Sequence, residues 1–367
     1  MGCRCEMEHL DATISLAIAF DIGYEIDLKS AGSLVAGESG ALARRRRTPE
    51  SIRYRPEPLR ISADASALAV PDAMRRDAPP RAELTLFDFG VVSLMVHFPV
   101  RVTSDGLLRL AGELADTTKL SSSARELLAP TLERIRPAVV EFDLIDMFEE
   151  YVVFQVHDSR TDWLERDAAW IAGLVRLEPG PLSKHEISEA TRLHLSYTPD
   201  DLVVLDWAAG FVADRDCTDT LQVIEYANVQ LLEFRHIDDR LDDRLEAAYQ
   251  LIRPTHMKRW PPFAWRTHAN AVRKVSELEV ESTSLFERAD NALKLIGDQY
   301  LSRIFDLAST RFHLREWEQS IRRKLDTVRD VYELLINQAS STRMELLEII
   351  VVLLIAFEIL LVLFRRS

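Results

Sequence analysis

The feature that most constrains this chain is a nearly unbroken apolar run close to its carboxyl end. The run extends from Leu346 to Phe364 in a chain of 367 residues that carries a net charge of −14. A helix of that length, at about 1.5 Å per residue, spans roughly 28 Å, close to the hydrocarbon thickness of a bilayer. Arg365 and Arg366 follow the run, where their side chains could reach the headgroups. The pattern predicts a single-pass transmembrane anchor over residues 344–367, with the large preceding part of the chain in the cytosol.

Two glutamates interrupt this run. Glu348 lies near its start, at the expected membrane interface, whereas Glu358 lies deep within it. An ionisable group at that depth costs about 2–3 kcal/mol on insertion scales and tends to be protonated or paired. Three roles for Glu358 stay open: a contact with a neighbouring helix in an oligomer, a protonated side chain facing lipid, and a proton or ion role.

The charge balance limits the kinds of partner. The chain has 59 acidic and 45 basic residues, the opposite sign from a general nucleic-acid binder, so no direct DNA binding is expected. One local exception is a basic patch of four consecutive arginines, Arg44, Arg45, Arg46 and Arg47. This patch indicates either a contact with RNA or anionic lipid, or a solvated loop.

The order of apolar segments divides the chain into three parts. Residues 8–215 alternate irregularly between β-rich runs, such as Glu83–Val100, and amphipathic helical stretches, which is typical of an α+β domain. Residues 216–343 show an almost entirely helical pattern, and their first predicted helix covers Thr218–Ile252 and stops before Pro254. The transmembrane anchor is the third part.

The helical part has the residue spacing of a coiled coil. Apolar or small residues recur three and four positions apart from Leu314 to Leu346, and a weaker stripe belongs to a helix that starts near Thr267. We predict an antiparallel helical hairpin, with pairing between chains as the alternative. The predicted fold class is therefore α+β: an N-terminal mixed α/β domain, a long coiled-coil-like helical hairpin and one C-terminal transmembrane helix.

A basic loop without acidic residues follows the first of these helices. It contains the cationic and aromatic residues Lys258, Arg259, Trp260, Trp265 and Arg266. Tryptophan beside Lys and Arg is typical of a membrane interface. Depending on where the hairpin turns, the loop would meet the membrane surface or a protein or RNA partner. A plain loop with inward-packed tryptophans is the third alternative.

The sequence shows none of the common catalytic or cofactor-binding motifs, such as a Gly-rich phosphate loop, HExxH, paired CxxC or GxSxG. His236 lies beside several aspartates, of which Asp238 and Asp242 share one helix face and could hold a metal ion. The interleaved Arg240 and Arg244 favour a salt-bridged solvated face instead. Three scattered cysteines argue against a disulfide framework. We expect no catalytic residues, no cofactor and no metal.

Five segments carry a resemblance to a known family. They are FDFGVVSLMVHF at residues 87–98, TTKL at residues 117–120, TRLHLSYTPDDLVVLDWAAGF at residues 191–211, LLEFRHIDDRLDDRL at residues 231–245 and RMELLEIIVVLLIAFEILL at residues 343–361. The chain thereby resembles the YagE-type membrane proteins, also called the required-for-meiotic-nuclear-division family, a domain of unknown function. The last segment is the most similar, because Glu348 and Glu358 match a Leu-Glu pair followed by a Glu inside the span.

The resemblance implies a tether rather than an enzyme. Mitochondrial members of that family are inner-membrane proteins that form large assemblies and support the translation of membrane proteins, and the composition of this chain suggests a bacterial member. The expected protein is a self-assembling scaffold or tether of the bacterial inner membrane. Its expected partners are the lipid bilayer, further copies of itself, and the ribosome or another protein complex. A ligand-sensing or enzymatic α+β domain held at the membrane, or a coiled-coil membrane-shaping protein, is the alternative.

Overall fold

The computed structural model describes most of the chain in six segments and a few single positions. These are residues 9–35, 56–116, 118–144, 146–158, 160–252 (side chains through residue 246) and 298–331, with 280, 283, 333, 351, 352, 354 and 355. The chain divides into two compact units. The first comprises Met1–Phe234 and Arg288–Arg315, and the second comprises Arg235–Glu287 and Glu316–Ser367.

Ten strands lie within the described residues. Their bounds are β1 His9–Asp21, β2 Glu25–Ile26, β3 Leu59–Ala63, β4 Arg81–Leu86, β5 Val91–Thr103, β6 Val139–Val140, β7 Phe148–Val156, β8 His194–Leu195, β9 Leu202–Leu205 and β10 Ala209–Ala213.

Eight α-helices lie within the described residues. Their bounds are α1 Leu28–Val35, α2 Ser104–Glu113, α3 Thr118–Ile135, α4 Trp163–Arg176, α5 Lys184–Ala190, α6 Thr218–Ile252, α7 Gln299–Arg311 and α8 at residues 314–331. The bounds of α6 confirm the helix predicted over the same residues.

Eight of the strands form one sheet in the order β3-β4-β5-β1-β7-β10-β9-β8, and β2 and β6 form a separate pair. Neighbouring strands are antiparallel except for β10 and β7, which run parallel. The longest pairing joins β1 and β5 from His9 opposite Thr103 to Asp21 opposite Val91. Because side chains alternate across a strand, this register places one set of apolar residues on a single face of the sheet.

The two faces of the sheet differ in chemistry. On one face, Ile14, Leu16 and Ile18 of β1 are buried in the apolar core, together with residues from helices α1 to α5. On the opposite face, β1 presents the small buried side chains Ser15 and Ala17. Small side chains on this second face leave room for a helix to lie close to the strands, and α6 occupies that position.

Helix α6 is buried on all sides along its first half. Apolar residues from Leu221 to Phe234 are buried together with four polar residues, Glu225, Asn228, Gln230 and Glu233. Buried polar side chains usually find hydrogen-bond partners. One of them, Asn228, donates to the backbone oxygen of Glu149 on β7 at 3.3 Å, which ties α6 to the sheet.

The prediction of a C-terminal transmembrane helix is contradicted. Within the segments that the structure describes, no helix combines the length and apolar character needed to cross a bilayer. The fold is a mixed α/β structure with an eight-stranded sheet, and the predicted anchor and inner-membrane localisation are withdrawn. Of the apolar run, Val351, Val352, Leu354 and Ile355 are described as helical and more than half exposed. The run's other named residues, Leu346, Glu348, Glu358, Phe364, Arg365 and Arg366, lie outside the described residues.

In the second unit, α8 lies against the distal half of α6. The Lys324 ammonium is 2.8 Å from Asp238 and 2.6 Å from Asp242, so it lies between the two carboxylates that share a helix face. Partial burial lowers the pKa of Lys324, but the hydrogen bonds that Lys324 donates to both aspartates, together with their negative charges, outweigh that effect and raise the pKa overall. No metal-binding group of His, Cys, Asp or Glu occurs among the described residues.

The helix predicted to start near Thr267 lies outside the residues that the structure describes. The domain boundaries proposed from the sequence also remain a prediction.

Glu225 is a buried glutamate of α6 that faces strands β4 and β5. It is 4% exposed, and Thr85 and Ser93, which are paired across β4 and β5, lie beside its carboxyl. Burial raises the pKa of Glu225, and the positive charge of Arg60 and the two hydroxyl groups oppose the rise only in part. The folded protein therefore holds a proton on Glu225 at pH values where the unfolded chain has released it.

We predict that Glu225→Gln makes the free energy of unfolding less sensitive to pH. The folded state binds more protons than the unfolded state above the ordinary carboxyl pKa of 4.5, so stability falls as the pH rises from there through the raised pKa. Urea denaturation at about pH 5 and about pH 8 should show a smaller loss of stability for the variant than for the wild type.

The matched control is Glu126→Gln, which changes an exposed glutamate on α3 and should keep the wild-type pH dependence. Equal losses of stability in the wild type and the Glu225→Gln protein would contradict the assignment of a protonated Glu225.

Candidate functional site

A buried ion cluster lies at the turn between β9 and β10. Asp206 is fully buried there, and its carboxylate contacts the guanidinium groups of Arg176 and Arg311. The Arg176 Nε atom lies 2.6 Å from Asp206 Oδ2. Asp206 Oδ1 also accepts a hydrogen bond of 2.6 Å from the backbone nitrogen of Trp207. Since Arg176 ends α4 and Arg311 ends α7, one carboxylate connects two helix ends with a strand turn.

Tyr151 binds the backbone of the same β9–β10 turn. The Tyr151 hydroxyl donates to the backbone oxygen of Asp206 at 2.8 Å, and the backbone nitrogen of Asp206 donates to Ala209 at 3.0 Å. Burial raises the pKa of Tyr151, so this side chain stays a neutral hydrogen-bond donor. The Tyr151 ring packs edge-on against Phe312, with ring centres 5.1 Å apart.

Arg311 depends on this carboxylate. Burial and the positive charge of Arg176 lower the pKa of the Arg311 guanidinium. An arginine nevertheless stays charged in proteins, and a buried charge without a partner is strongly unfavourable. The Asp206 carboxylate supplies that partner.

A cavity of about 230 Å³ lies beside the ion cluster. Its polar and aromatic lining consists of Glu149, Glu150, Tyr151, Trp207, Asn228 and Phe312. Its aliphatic lining consists of Ala115, Val152, Leu177, Ala208 and Leu231. These residues come from the start of β7, the β9–β10 turn, α6 and the segments that follow α2, α4 and α7, so the cavity lies at one end of the sheet.

Two aromatic residues of the cavity lining, Trp207 and Phe312, lie next to the turn between α7 and α8. Trp207 is half exposed, and its ring centre lies 6.2 Å from that of His313. Phe312 ends α7, and His313 has a φ of 54°, a left-handed conformation that a residue other than glycine adopts uncommonly. The turn between α7 and α8 is thus sharply bent at the cavity wall.

The polar residues that line the cavity are two glutamates, one asparagine and one tyrosine. Asn228 donates from its amide nitrogen to the backbone oxygen of Glu149. The Tyr151 hydroxyl is already committed to Asp206. None of the described residues that line the cavity is basic.

The structure does not test the site residues predicted from the sequence. These residues lie outside the described part of the chain: the basic patch Arg44, Arg45, Arg46 and Arg47, and the loop residues Lys258, Arg259, Trp260, Trp265 and Arg266. Sequence reasoning missed Asp206 and the paired glutamates. The available signal was one aspartate between two short apolar runs, Leu202–Leu205 and Ala209–Ala213, because a carboxylate in that position must find a partner if it is buried.

We predict that Asp206→Asn destabilises the first unit by about 3–5 kcal/mol, because it removes the buried carboxylate that Arg311 contacts and leaves Arg176 with the longer 3.6 Å contact to Glu186. Urea denaturation measures the change. The matched control is Asp306→Asn, which removes an exposed carboxylate 3.9 Å from Arg315 and should change stability by less than about 1 kcal/mol. Similar effects of the two substitutions would show that the buried cluster does not stabilise the fold.

Comparison with known proteins places this unit in a family. Residues 11–220 match the family model of the N-terminal domain of the uncharacterized protein MJ0711. The uncharacterized protein MJ0711 of Methanocaldococcus jannaschii is 22% identical over 212 residues, which are 57% of this chain and 64% of the relative. The chain therefore matches less than two thirds of that relative's length. No solved structure matches.

These comparisons correct the family assignment made from short segments. Neither points to the YagE-type, or required-for-meiotic-nuclear-division, family, so that resemblance is wrong. The matched residues run from β1 to the start of α6 and include Asp206 and the glutamates of β7. The chain belongs to the family of the MJ0711 N-terminal domain.

Proposed function

We propose that the first unit is a small-molecule-binding domain and that the cavity beside Asp206 is its binding site. The observation that carries this proposal is the lining of the cavity, in which aromatic and aliphatic walls surround a few polar groups. Small-molecule sites in proteins have this composition, commonly with volumes of about 300–1,000 Å³. A cavity of about 230 Å³ lies just below that range and suits a correspondingly small ligand.

The walls of the cavity are held in place before a ligand arrives. Hydrogen bonds from Tyr151 and to Ala209 hold the β9–β10 turn, Asn228 joins α6 to β7, and Arg311 holds the end of α7 against Asp206. A site with fixed walls loses less conformational entropy on binding, which supports affinity. The Asp206 cluster is therefore assigned a supporting role, and the cavity the binding role.

This proposal takes up the ligand-sensing alternative that the sequence left open. The hypothesis of a self-assembling scaffold that supports translation stays a prediction, because the described residues and the comparisons do not test it. The two hypotheses differ in a measurable way: a ligand-binding domain gains stability from a small molecule, whereas a scaffold has no such requirement.

The test is thermal unfolding of the full-length protein in the presence of a library of small metabolites. A ligand at about 100 times its dissociation constant should stabilise the folded state by about 2.7 kcal/mol. We predict that at least one compound raises the unfolding temperature by several degrees, and that Ala115→Trp abolishes the increase by filling the cavity from its exposed rim.

The matched control is Ala67→Trp, which adds the same side chain at an exposed alanine away from the cavity and should bind the compound normally. A library without any stabilising compound, or stabilisation that survives Ala115→Trp, would contradict the proposed site.

A further inference from the structure

We infer that the ligand of this cavity is an uncharged aromatic molecule of one ring or two fused rings, such as a derivative of benzene or indole. The assignment of this ligand class rests on the proposed binding function and deepens it. Four features of the cavity support the assignment: the aromatic walls, the exposure of one of them, the engagement of the polar lining within the protein, and the volume.

Three aromatic side chains provide much of the cavity wall. They are Trp207, Tyr151 and Phe312, and the rings of Tyr151 and Phe312 meet at an angle of 78°. Aromatic pairs prefer an offset-stacked or an edge-on arrangement. A flat ring that lies parallel to one of two nearly perpendicular rings is edge-on to the other, so an aromatic ligand can make both arrangements at once.

Trp207 is the wall residue that gains most from a ligand. Half of its surface is exposed, although the backbone of its turn is held by the hydrogen bond from Tyr151 to Asp206. The turn therefore presents a large apolar ring from a fixed backbone. A ligand that packs on this ring removes apolar surface from water, which favours binding.

The polar side chains of the lining already interact within the protein. The Tyr151 hydroxyl donates to the Asp206 backbone at 2.8 Å, and the Asn228 amide nitrogen donates to the Glu149 backbone at 3.3 Å. Glu149 and Glu150 both interact with other groups of the protein. A ligand that makes few hydrogen bonds of its own suits such a lining, because it does not compete with these interactions.

Charged ligands fit this cavity less well. An anion would lie beside Glu149 and Glu150, and none of the lining residues in the described part of the chain is basic, so like charges would disfavour binding. A cation would lose its hydration beside glutamates that already interact elsewhere, and a buried charge needs a well-placed partner. An uncharged ligand avoids both costs.

The volume of the cavity limits the size of the ligand. An apolar cavity of about 150 Å³ in a protein holds one benzene molecule. The present cavity, of about 230 Å³, is larger than that. It therefore suits a single ring with a small substituent, or two fused rings.

The experiment measures the binding of five probes to the full-length protein by calorimetry. The probes are indole, benzyl alcohol, cyclohexylmethanol, benzylammonium and phenylacetate. Benzyl alcohol and cyclohexylmethanol differ in the aromaticity of the ring, and the last two probes add a positive or a negative charge to the benzyl group. We expect indole to bind most tightly, benzyl alcohol to bind about three- to tenfold more tightly than cyclohexylmethanol, benzylammonium to bind more weakly than benzyl alcohol, and phenylacetate not to bind.

Two matched variants test the aromatic wall. Trp207→Leu keeps an apolar side chain but removes the ring, and it should weaken indole binding about tenfold. Tyr197→Leu makes a similar change at a residue that is 70% exposed. Tyr197 precedes β9, whereas Trp207 follows it, so the control variant should bind indole normally. Circular dichroism of both variants verifies that they fold.

The outcomes separate the ligand class from the binding site. If cyclohexylmethanol or a charged probe binds as tightly as benzyl alcohol and Ala115→Trp abolishes that binding, the uncharged aromatic ligand is wrong and the site stands. Unchanged indole affinity of the folded Trp207→Leu protein would also overturn the ligand class. If none of the five probes binds while a library compound of other chemistry does, the ligand class is again wrong and the site stands. If no compound of any class binds, both proposals fail.

Discussion

The contact between Asp206 and two arginines is the interaction on which the described end of the sheet depends. A fully buried carboxylate must be compensated, and here the ends of α4 and α7 each supply a guanidinium group. The backbone of Asp206 also forms two hydrogen bonds: its oxygen accepts from the Tyr151 hydroxyl, and its nitrogen donates to the Ala209 backbone oxygen. Because these elements are far apart in the sequence, the ion cluster helps to bring together the turn, the helix ends and the aromatic residues that surround the cavity.

Helix α6 provides the other half of this architecture. It lies on the sheet face that carries small and hydroxyl side chains, and two of its buried polar residues contact strands. Glu225 lies against paired hydroxyl groups of β4 and β5, whereas Asn228 donates to the backbone at the start of β7 and also lines the cavity. Thus one helix carries both a proton-holding carboxyl in its packed interface and a cavity-lining amide near the sheet end.

Local features of this fold could be predicted from the sequence, and contacts between distant residues could not. The bounds of α6 follow from helical periodicity and the proline that comes after it. The shared helix face of Asp238 and Asp242 is clear from the sequence, yet their contact with Lys324, more than eighty residues away, is not. The cavity joins β7, the β9–β10 turn and α6, and no local pattern indicates that these segments meet. The YagE resemblance failed for a related reason, because short apolar segments recur in unrelated proteins wherever a core must be filled.

The most direct test of the central claim is hydrogen–deuterium exchange of the full-length wild-type protein and the Asp206→Asn variant. If the buried ion cluster holds this end of the sheet together, exchange should be faster in the variant at the start of β7, in the β9–β10 turn around Trp207 and at Phe312, and it should not change at the distant edge strand β3. Exchange that is unchanged around the cluster, or that becomes equally faster at β3, would contradict the role assigned to Asp206.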